Sequence, residues 1–237
     1  MGNEIHQHPP TYTSTGNLPE DFRYAAAAYE ADIGHLLPRN PDAQILDVGC
    51  GWGQFLWWAK EKGYALTVGI DIGQEQEAHG RQVGLAIRKV DDSRIFLESL
   101  DAEYDLIVMN HVIEHVFPEE GLRLLAAIRR ALKPGGRVII QTPNMNCVGA
   151  NAGRYIELSH VVGYSESSLH QLMSAAGFNQ VEMFGNVTRL SGNPKRILWK
   201  GLQVLSRAIW RTMLFSELGF DAPKIVTKNL YATGIRD

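Results

Sequence analysis

The sequence has few cysteines and no long apolar run. Two cysteines, Cys50 and Cys147, occur in 237 residues, which excludes a disulfide framework and favours a reducing, cytoplasmic compartment. No run is long enough to cross a membrane as a helix, and the N-terminus lacks the basic and then apolar order of a signal peptide. Ordinary hydrophobic content (45%) then indicates one main globular domain.

The formal charge of −3 hides an uneven distribution along the chain. Residues 1–189 hold 15 Lys/Arg and 23 Asp/Glu, whereas residues 190–237 hold 8 and 3, so the net charges are −8 and +5. The acidic body and the absence of a basic, aromatic groove disfavour a nucleic-acid partner. The basic tail favours contact with an anionic surface.

Strand-like segments alternate with helical patterns along most of the chain. Residues 1–18 lack apolar periodicity and are predicted to be a flexible N-terminal segment. Residues 19–237 are predicted to form a single domain that begins with a helix over 19–37. Predicted strands lie at 44–48, 65–70, 86–90, 104–109, 136–141, 178–184 and 225–235. The helical patterns between them predict an α/β, Rossmann-like, doubly wound sheet, mostly parallel, with helices on both faces.

A glycine-rich turn follows the first predicted strand. Gly49, Gly51 and Gly53 let the backbone turn tightly into a helix, so that a ligand can lie against peptide N–H groups. The next strand ends in Asp71, about 20 residues after the loop, where a carboxylate can accept two hydrogen bonds from ribose hydroxyls. A nicotinamide-binding fingerprint would place the third glycine one position later, so an oxidoreductase fits poorly.

With Asp47 ahead of the glycines, the loop resembles motif I of the class I S-adenosylmethionine-dependent methyltransferases. The resemblance implies binding of S-adenosylmethionine and formation of S-adenosylhomocysteine. Asp91 or Asp92 is expected to accept a hydrogen bond from the adenine amine, while the other caps the helix that begins at Ser93. The predicted cofactor-binding residues are Asp47, Gly49, Cys50, Gly51, Gly53, Asp71, Ile72, Asp91, Asp92 and Asn110.

A second group of polar residues follows the apolar strand 104–109. His111, Glu114 and His115 are spaced i, i+3 and i+4, which places them on one face of a helical turn. With the distal His160, this run resembles the O-methyltransferase branch that includes ubiquinone-pathway enzymes and small-RNA 2′-O-methyltransferases. Members carry Glu-x-x-Glu-His and a distal His, and some of them bind a divalent metal with these groups. Here Glu114, His115 and His160 match, and His111 replaces the first Glu.

Three roles stay open for the residues His111, Glu114, His115 and His160. They could bind a metal, provide a metal-free general base, or make structural hydrogen bonds. One carboxylate and three imidazoles favour softer ions than Mg²⁺. A divalent metal at this site is possible but not favoured. Our interpretation is that His115 is the base, that Glu114 orients it or a neighbouring donor, and that His160 closes the site.

The function predicted from these motifs is O-methylation of a small-molecule, glycan or lipid-linked hydroxyl. Two alternatives stay open: a catalytically silent cofactor-binding or scaffold protein tethered to a membrane or partner, and an RNA 2′-O-methyltransferase. The acidic body favours a non-nucleic-acid acceptor over the RNA alternative.

A long helix is predicted near the C-terminus. In the resembling fold the last two strands form an antiparallel hairpin, so a helix at about 193–216 is interpreted as an insertion within it. Its basic stripe consists of Arg196, Lys200, Arg207 and Arg211. One hypothesis is that its apolar face packs on the sheet or on a second subunit as a homodimer. The other is that the stripe and two tryptophans make peripheral contact with an anionic membrane, on its inner face.

Overall fold

The computed structural model describes residues 18–189 and 193–237. The predicted flexible segment therefore lies outside the described residues, apart from Leu18, which begins the first helix.

Eight α-helices and seven strands form the described part of the chain. The helices are α1 (Leu18–Asp32), α2 (Gln54–Glu61), α3 (Gln74–Val83), α4 (Ser93–Glu98), α5 (Pro118–Ala131), α6 (Ala150–Arg154), α7 (Glu166–Ala175) and α8 (Pro194–Leu218). The strands are β1 (Ile45–Val48), β2 (Thr67–Asp71), β3 (Ile87–Lys89), β4 (Tyr104–Asn110), β5 (Leu132–Pro143), β6 (Asn179–Gly185) and β7 (Asn229–Ile235). Short 3₁₀ turns lie at Gly34–Leu36, Ile113–His115 and Gly219–Asp221.

The seven strands form one sheet in the order β3-β2-β1-β4-β5-β7-β6. The first five strands are parallel, and β7 is antiparallel to both β5 and β6. This confirms the predicted Rossmann-like fold with an antiparallel strand at one end. Because ligands of such sheets bind beyond the carboxyl ends of the parallel strands, the edge after β1, β2 and β4 is where the site is expected.

Alternate residues of the central strands pack against different helical layers. Ile45 and Leu106 pack in a cluster with Phe55 and Trp58 of α2. Their neighbours Leu46 and Ile107 belong to a cluster on the opposite face, together with α5. Near-continuous apolar strands covered on both faces are typical of parallel sheets, and they hold the loops at the carboxyl edge on a rigid support.

Among the predicted boundaries that differ from the structure, two have a clear physical reason. The first helix ends at Asp32 instead of residue 37, and a 3₁₀ turn begins at Gly34, since this glycine lowers helical stability. The last strand begins at Asn229 instead of 225. The side-chain amide of Asn144 donates to the carbonyls of Ile225 and Thr227, 2.9 Å each, which holds that segment outside the ladder.

The helix expected near the C-terminus is α8, which lies between the antiparallel strands β6 and β7. Its orientation differs from the membrane hypothesis, because part of the basic stripe faces the protein. Lys200 donates to the carbonyl of Arg189, and Arg207 donates to Thr188 Oγ1 (2.7 Å). Arg207 and Arg211 also line a cavity of about 310 Å³ beside residues 224–227. Among the described residues, no helix is long and apolar enough to cross a membrane.

Candidate active site at the carboxyl edge of the sheet

The glycine loop between β1 and α2 is shaped by three residues with positive φ. The φ angles of Gly49, Gly51 and Gly53 are 68°, 52° and 85°. A Cβ atom on Gly49 would lie 2.3 Å from Val112 Cγ2, so this position has room only for glycine. A Cβ on Gly51 would meet no described atom within 4 Å. The loop therefore combines a tightly packed base with an open surface that a ligand can approach.

Asp71, at the end of β2, is fixed against the glycine loop. Its Oδ2 accepts from the Gly51 N–H and its Oδ1 from the Gly73 N–H, 2.9 Å each. A carboxylate has about four lone-pair sites, so these two bonds orient the group and leave capacity for further donors.

Asp47 and Asn110 each place an unpaired oxygen in the interior below this edge. Asp47 Oδ1 and Asn110 Oδ1 are buried and have no hydrogen-bond partner among the described residues. Burial, with a smaller contribution from the charge of Asp71, raises the pKa of Asp47 well above its ordinary value. A positively charged ligand near the carboxylates of Asp47 and Asp71 would offset the cost of burying the charge of Asp47.

The remaining predicted cofactor residues have varied surroundings. Cys50 is buried, its N–H donates to the Ile70 carbonyl, and burial raises the pKa of its thiol. Ile72 is half exposed. Asp92 is the N-cap of α4 and accepts from the N–H groups of Arg94 and Ile95. Asp91 is exposed and forms an ion pair with Lys89.

The partly exposed His111 and the buried Glu114 form a hydrogen-bonded pair after β4. His111 Nδ1 lies 3.0 Å from Glu114 Oε1, and Thr142 Oγ1 donates to Glu114 Oε2 (3.1 Å). Burial raises the pKa of Glu114, but the hydrogen bond and charge of His111 outweigh it, so the pKa lies below its ordinary value. His111 has a φ of 55°, an uncommon conformation for a residue with a side chain. Glu114 therefore orients the neighbouring His111 rather than His115.

His115 and His160 meet beside the same turn. Their rings are 4.8 Å apart between centroids, and the loop of His160 is held there because Val161 N–H and Val162 N–H donate to the Glu114 carbonyl. His115 Nδ1 lies 3.2 Å from the Ser159 carbonyl, and His160 Nδ1 lies 3.0 Å from the Gly153 carbonyl.

Glu157 faces both imidazoles. Its Oε1 lies 2.9 Å from His160 Nε2 and 3.5 Å from His115 Nε2. Both nitrogens of His160 thus face oxygen acceptors. His115 Nδ1 is the donor to Ser159, so its Nε2 keeps a lone pair that makes no hydrogen bond among the described residues. Burial, partly opposed by the charge of Glu114, lowers the pKa of His115 below its ordinary value.

The chain is similar to known methyltransferases. Residues 22–183 match the family described as "Methyltransferase domain". The chain belongs to this family. Together with the similar proteins and structures described below, this match identifies the chain as a class I S-adenosylmethionine-dependent methyltransferase.

Relatives of this methyltransferase are named for different reactions. The chain is 29% identical over 136 residues to the ubiquinone biosynthesis O-methyltransferase of Idiomarina loihiensis, covering 54% of this chain and 53% of the relative. It is 31% identical to the tRNA U34 carboxymethyltransferase of Photobacterium profundum, covering 64% and 49%. The chain thus spans about half the length of these relatives.

A solved methyltransferase structure from Archaeoglobus fulgidus shares the fold. Its TM-score to this chain is 0.65 at 21% identity, with 92% of this chain and 97% of that chain covered. At this identity the likeness establishes the fold alone.

The glycine-loop edge of the methyltransferase fits S-adenosylmethionine. The open face at Gly51 leaves room for the ligand, and Asp71 presents oriented carboxylate oxygens suited to ribose hydroxyls. The unpaired oxygen of Asp47 suits a cationic group, since the cofactor carries a positively charged sulfonium and ammonium.

The donor set fits a magnesium ion poorly. Ligand atoms of Glu114, His115 and His160 lie within 4.8 Å of one another, but both carboxylate oxygens of Glu114 already accept protein hydrogen bonds. Mg²⁺ prefers oxygen ligands, and two imidazoles supply none. We therefore assign no step to a metal.

Glu157 is the site residue that the sequence reasoning missed. The spacing Glu157-x-x-His160 repeats the i, i+3 relation of His111 and Glu114, and this was the signal available for it. Thr142 also contributes, because it is buried and donates to Glu114.

Asp71→Ala is expected to weaken S-adenosylmethionine binding by about 2 kcal/mol, or roughly thirtyfold, because the charge-assisted bonds to ribose are lost. Calorimetric titration measures the change. Asp42→Ala, which removes an exposed carboxylate elsewhere, is the matched control and should bind normally. Unchanged affinity in a folded Asp71→Ala protein would remove Asp71 from the cofactor site.

Proposed function

We propose that this methyltransferase transfers a methyl group from S-adenosylmethionine to a hydroxyl of a small-molecule, glycan or lipid-linked acceptor. The observation that carries the proposal is the environment of His115. Its Nδ1 is occupied by the Ser159 carbonyl, while Nε2 is left as an acceptor. Since burial lowers the pKa of His115, its neutral form predominates at neutral pH.

The chain's own residues supply the proton chemistry. When bound, S-adenosylmethionine provides an electrophilic methyl group. His115 Nε2 takes the proton of the acceptor hydroxyl, so the oxygen gains the electron density it needs as a nucleophile. The carboxylate of Glu157, 3.5 Å from Nε2, stabilises the imidazolium that forms. The proton leaves His115 to solvent after turnover.

Positioning accounts for the remaining part of the rate. His111 lies directly after β4 and is held by Glu114, which in turn accepts a hydrogen bond from Thr142. These residues form a rigid hydrogen-bonded unit next to Asn110 at the cofactor edge. Rigid placement of nucleophile and methyl donor lowers the entropic barrier of a displacement reaction.

Charge supports an acceptor other than RNA. The net charge of −8 over residues 1–189 opposes a phosphate backbone near the site. We also propose that the protein acts in the cytoplasm, because its two cysteines provide no disulfide framework. The alternative of a catalytically silent scaffold protein makes a different prediction: such a protein would bind the cofactor but would form no methylated product.

The test is methyl transfer from labelled S-adenosylmethionine to hydroxyl-bearing acceptors, followed as a function of pH. Because His115 must be unprotonated, kcat/KM should fall tenfold per pH unit below its pKa, which lies below about 6.5, and should be level at neutral pH. Cofactor binding without product from any hydroxyl acceptor would contradict the proposal.

Glu157→Gln sharpens this measurement. The charge of Glu157 raises the pKa of His115, so its removal should shift the acidic limb of the pH profile to lower pH and reduce the plateau rate. Glu61→Gln, at the exposed end of α2, is the control and should leave the profile unchanged. Exhaustive chelation should also leave the rate unchanged. A rate that returns only on addition of a metal would replace the base mechanism with a metal-dependent one.

A further inference from the structure

Helix α8 presents its apolar side to solvent. Within α8, all of whose residues are described, no side chain is buried. Leu198, Leu202, Leu205 and Ile209 are each more than half exposed, and Met213 continues the same stripe at 53%. At about 100° per residue these five positions fall within roughly 80° of one another, along a helix about 37 Å long.

The polar side of α8 is the side attached to the protein. Arg207 donates to Thr188 Oγ1, and Trp210 Nε1 donates to the Asn146 carbonyl (2.9 Å). At 100° per residue, Arg207 lies roughly opposite the centre of the apolar stripe, and Trp210 lies about 100° from that centre. The helix is thus anchored with its apolar side outward, the reverse of an ordinary amphipathic surface helix.

Charge distinguishes between the surfaces that could cover this apolar stripe. No acidic residue occurs between Glu182 and Glu217, whereas six cations do: Arg189, Lys195, Arg196, Lys200, Arg207 and Arg211. Lys195, Arg196 and Arg211 are exposed, as is Lys224 beyond the helix. A second copy of the chain would bring an equal set of cations against this set. An anionic surface complements this set, and the helix diameter of about 10 Å keeps the cations of α8 within about one Debye length of that surface.

We propose that the outward face of α8 is a docking surface for an anionic phospholipid bilayer, on which the helix lies parallel to the membrane. The apolar stripe enters the boundary between head groups and acyl chains, and the exposed cations interact with the anionic head groups. Trp199 (57% exposed) and Phe220 (98% exposed) extend the apolar surface at its side and end. This attachment does not depend on the identity of the methyl acceptor.

The experiment is sedimentation of the full chain with vesicles of phosphatidylcholine alone or mixed with phosphatidylglycerol. We expect binding to the mixed vesicles at low ionic strength, weaker binding at high ionic strength, and little binding to phosphatidylcholine alone. No sedimentation with mixed vesicles at low ionic strength would overturn the proposal.

Matched variants separate the two components of binding. Leu205→Gln/Ile209→Gln should lower the partition coefficient at least tenfold, whereas Leu66→Gln/Val83→Gln, which alters exposed apolar residues elsewhere, should not. Lys195→Gln/Arg196→Gln should lower it about twenty-fivefold, at roughly fivefold per cation, and Arg81→Gln/Arg123→Gln should change it little. Equal binding by all four variants would overturn the docking surface.

Light scattering in the absence of lipid tests whether a second copy of the chain covers the apolar stripe instead. A dimer that Leu205→Gln/Ile209→Gln converts to a monomer would assign the face to a second copy and overturn the membrane proposal. Cofactor affinity, measured in parallel, should be normal in every variant, so a failure of attachment is distinguishable from a failure of the proposed methyl transfer.

Discussion

His115→Gln is expected to lower the turnover number by roughly 10² to 10⁴ while leaving S-adenosylmethionine affinity unchanged. Glutamine keeps a side chain able to hydrogen bond to the Ser159 carbonyl but cannot accept a proton at neutral pH. The loss should therefore appear in kcat rather than in cofactor binding, as measured by single-turnover methyl transfer and by calorimetry.

The control for this variant is His170→Gln, which changes an exposed imidazole on α7. It should retain full turnover. A His115→Gln protein with parental kcat would assign the proton acceptor to another group. His160, whose ring centroid lies 4.8 Å from that of His115, would be the next residue to replace.

Asp32→Ala is expected to lower the free energy of unfolding by about 3 kcal/mol, because it leaves three donors without their acceptor. Asp32 is 3% exposed. It accepts from Asn186 Nδ2 (2.8 Å), the Val187 N–H (2.7 Å) and the Tyr231 hydroxyl (3.0 Å). Urea unfolding followed by circular dichroism measures the change.

Two further variants test whether this loss of stability comes from the hydrogen bonds of Asp32. Tyr231→Phe removes one of the three donors and should cost about 1 kcal/mol. Asp42→Ala, at an exposed position, should stay within about 0.5 kcal/mol of the parent. If Asp32→Ala is as stable as Asp42→Ala, the contacts of Asp32 contribute nothing net to folding.

The sheet and the cofactor edge could be predicted because their signals are local. Gly49, Gly51 and Gly53 are needed for the backbone angles of one turn, and Asp71 follows directly from the end of a strand. The choice between Asp91 and Asp92 as helix cap could not be made from sequence, since both precede Ser93. The structure decides it through the bonds that Asp92 accepts.

The proposed catalytic cluster depends on contacts between distant segments. The Nδ1 atom of His115 lies near a carbonyl 44 residues away, so the tautomer of His115 does not follow from local spacing. Asp32 meets Tyr231 across 199 residues for the same reason. Periodicity correctly grouped the cations of α8, but only tertiary contacts determine which side of a helix faces the protein.

The place where α8 enters the fold makes it an exchangeable module. Gly185, before the insertion, is paired with Leu230, after it, so the segment leaves and rejoins the sheet at adjacent points. A loop closed by a pre-existing strand pair can be lengthened at little entropic cost, because closure entropy grows slowly with length. Replacement of this segment would leave in place β1 to β5 and residues 157–160, which carry the proposed methyl-transfer site. Evolution or design can thus redirect the same catalyst to a new location by changing one contiguous piece of sequence.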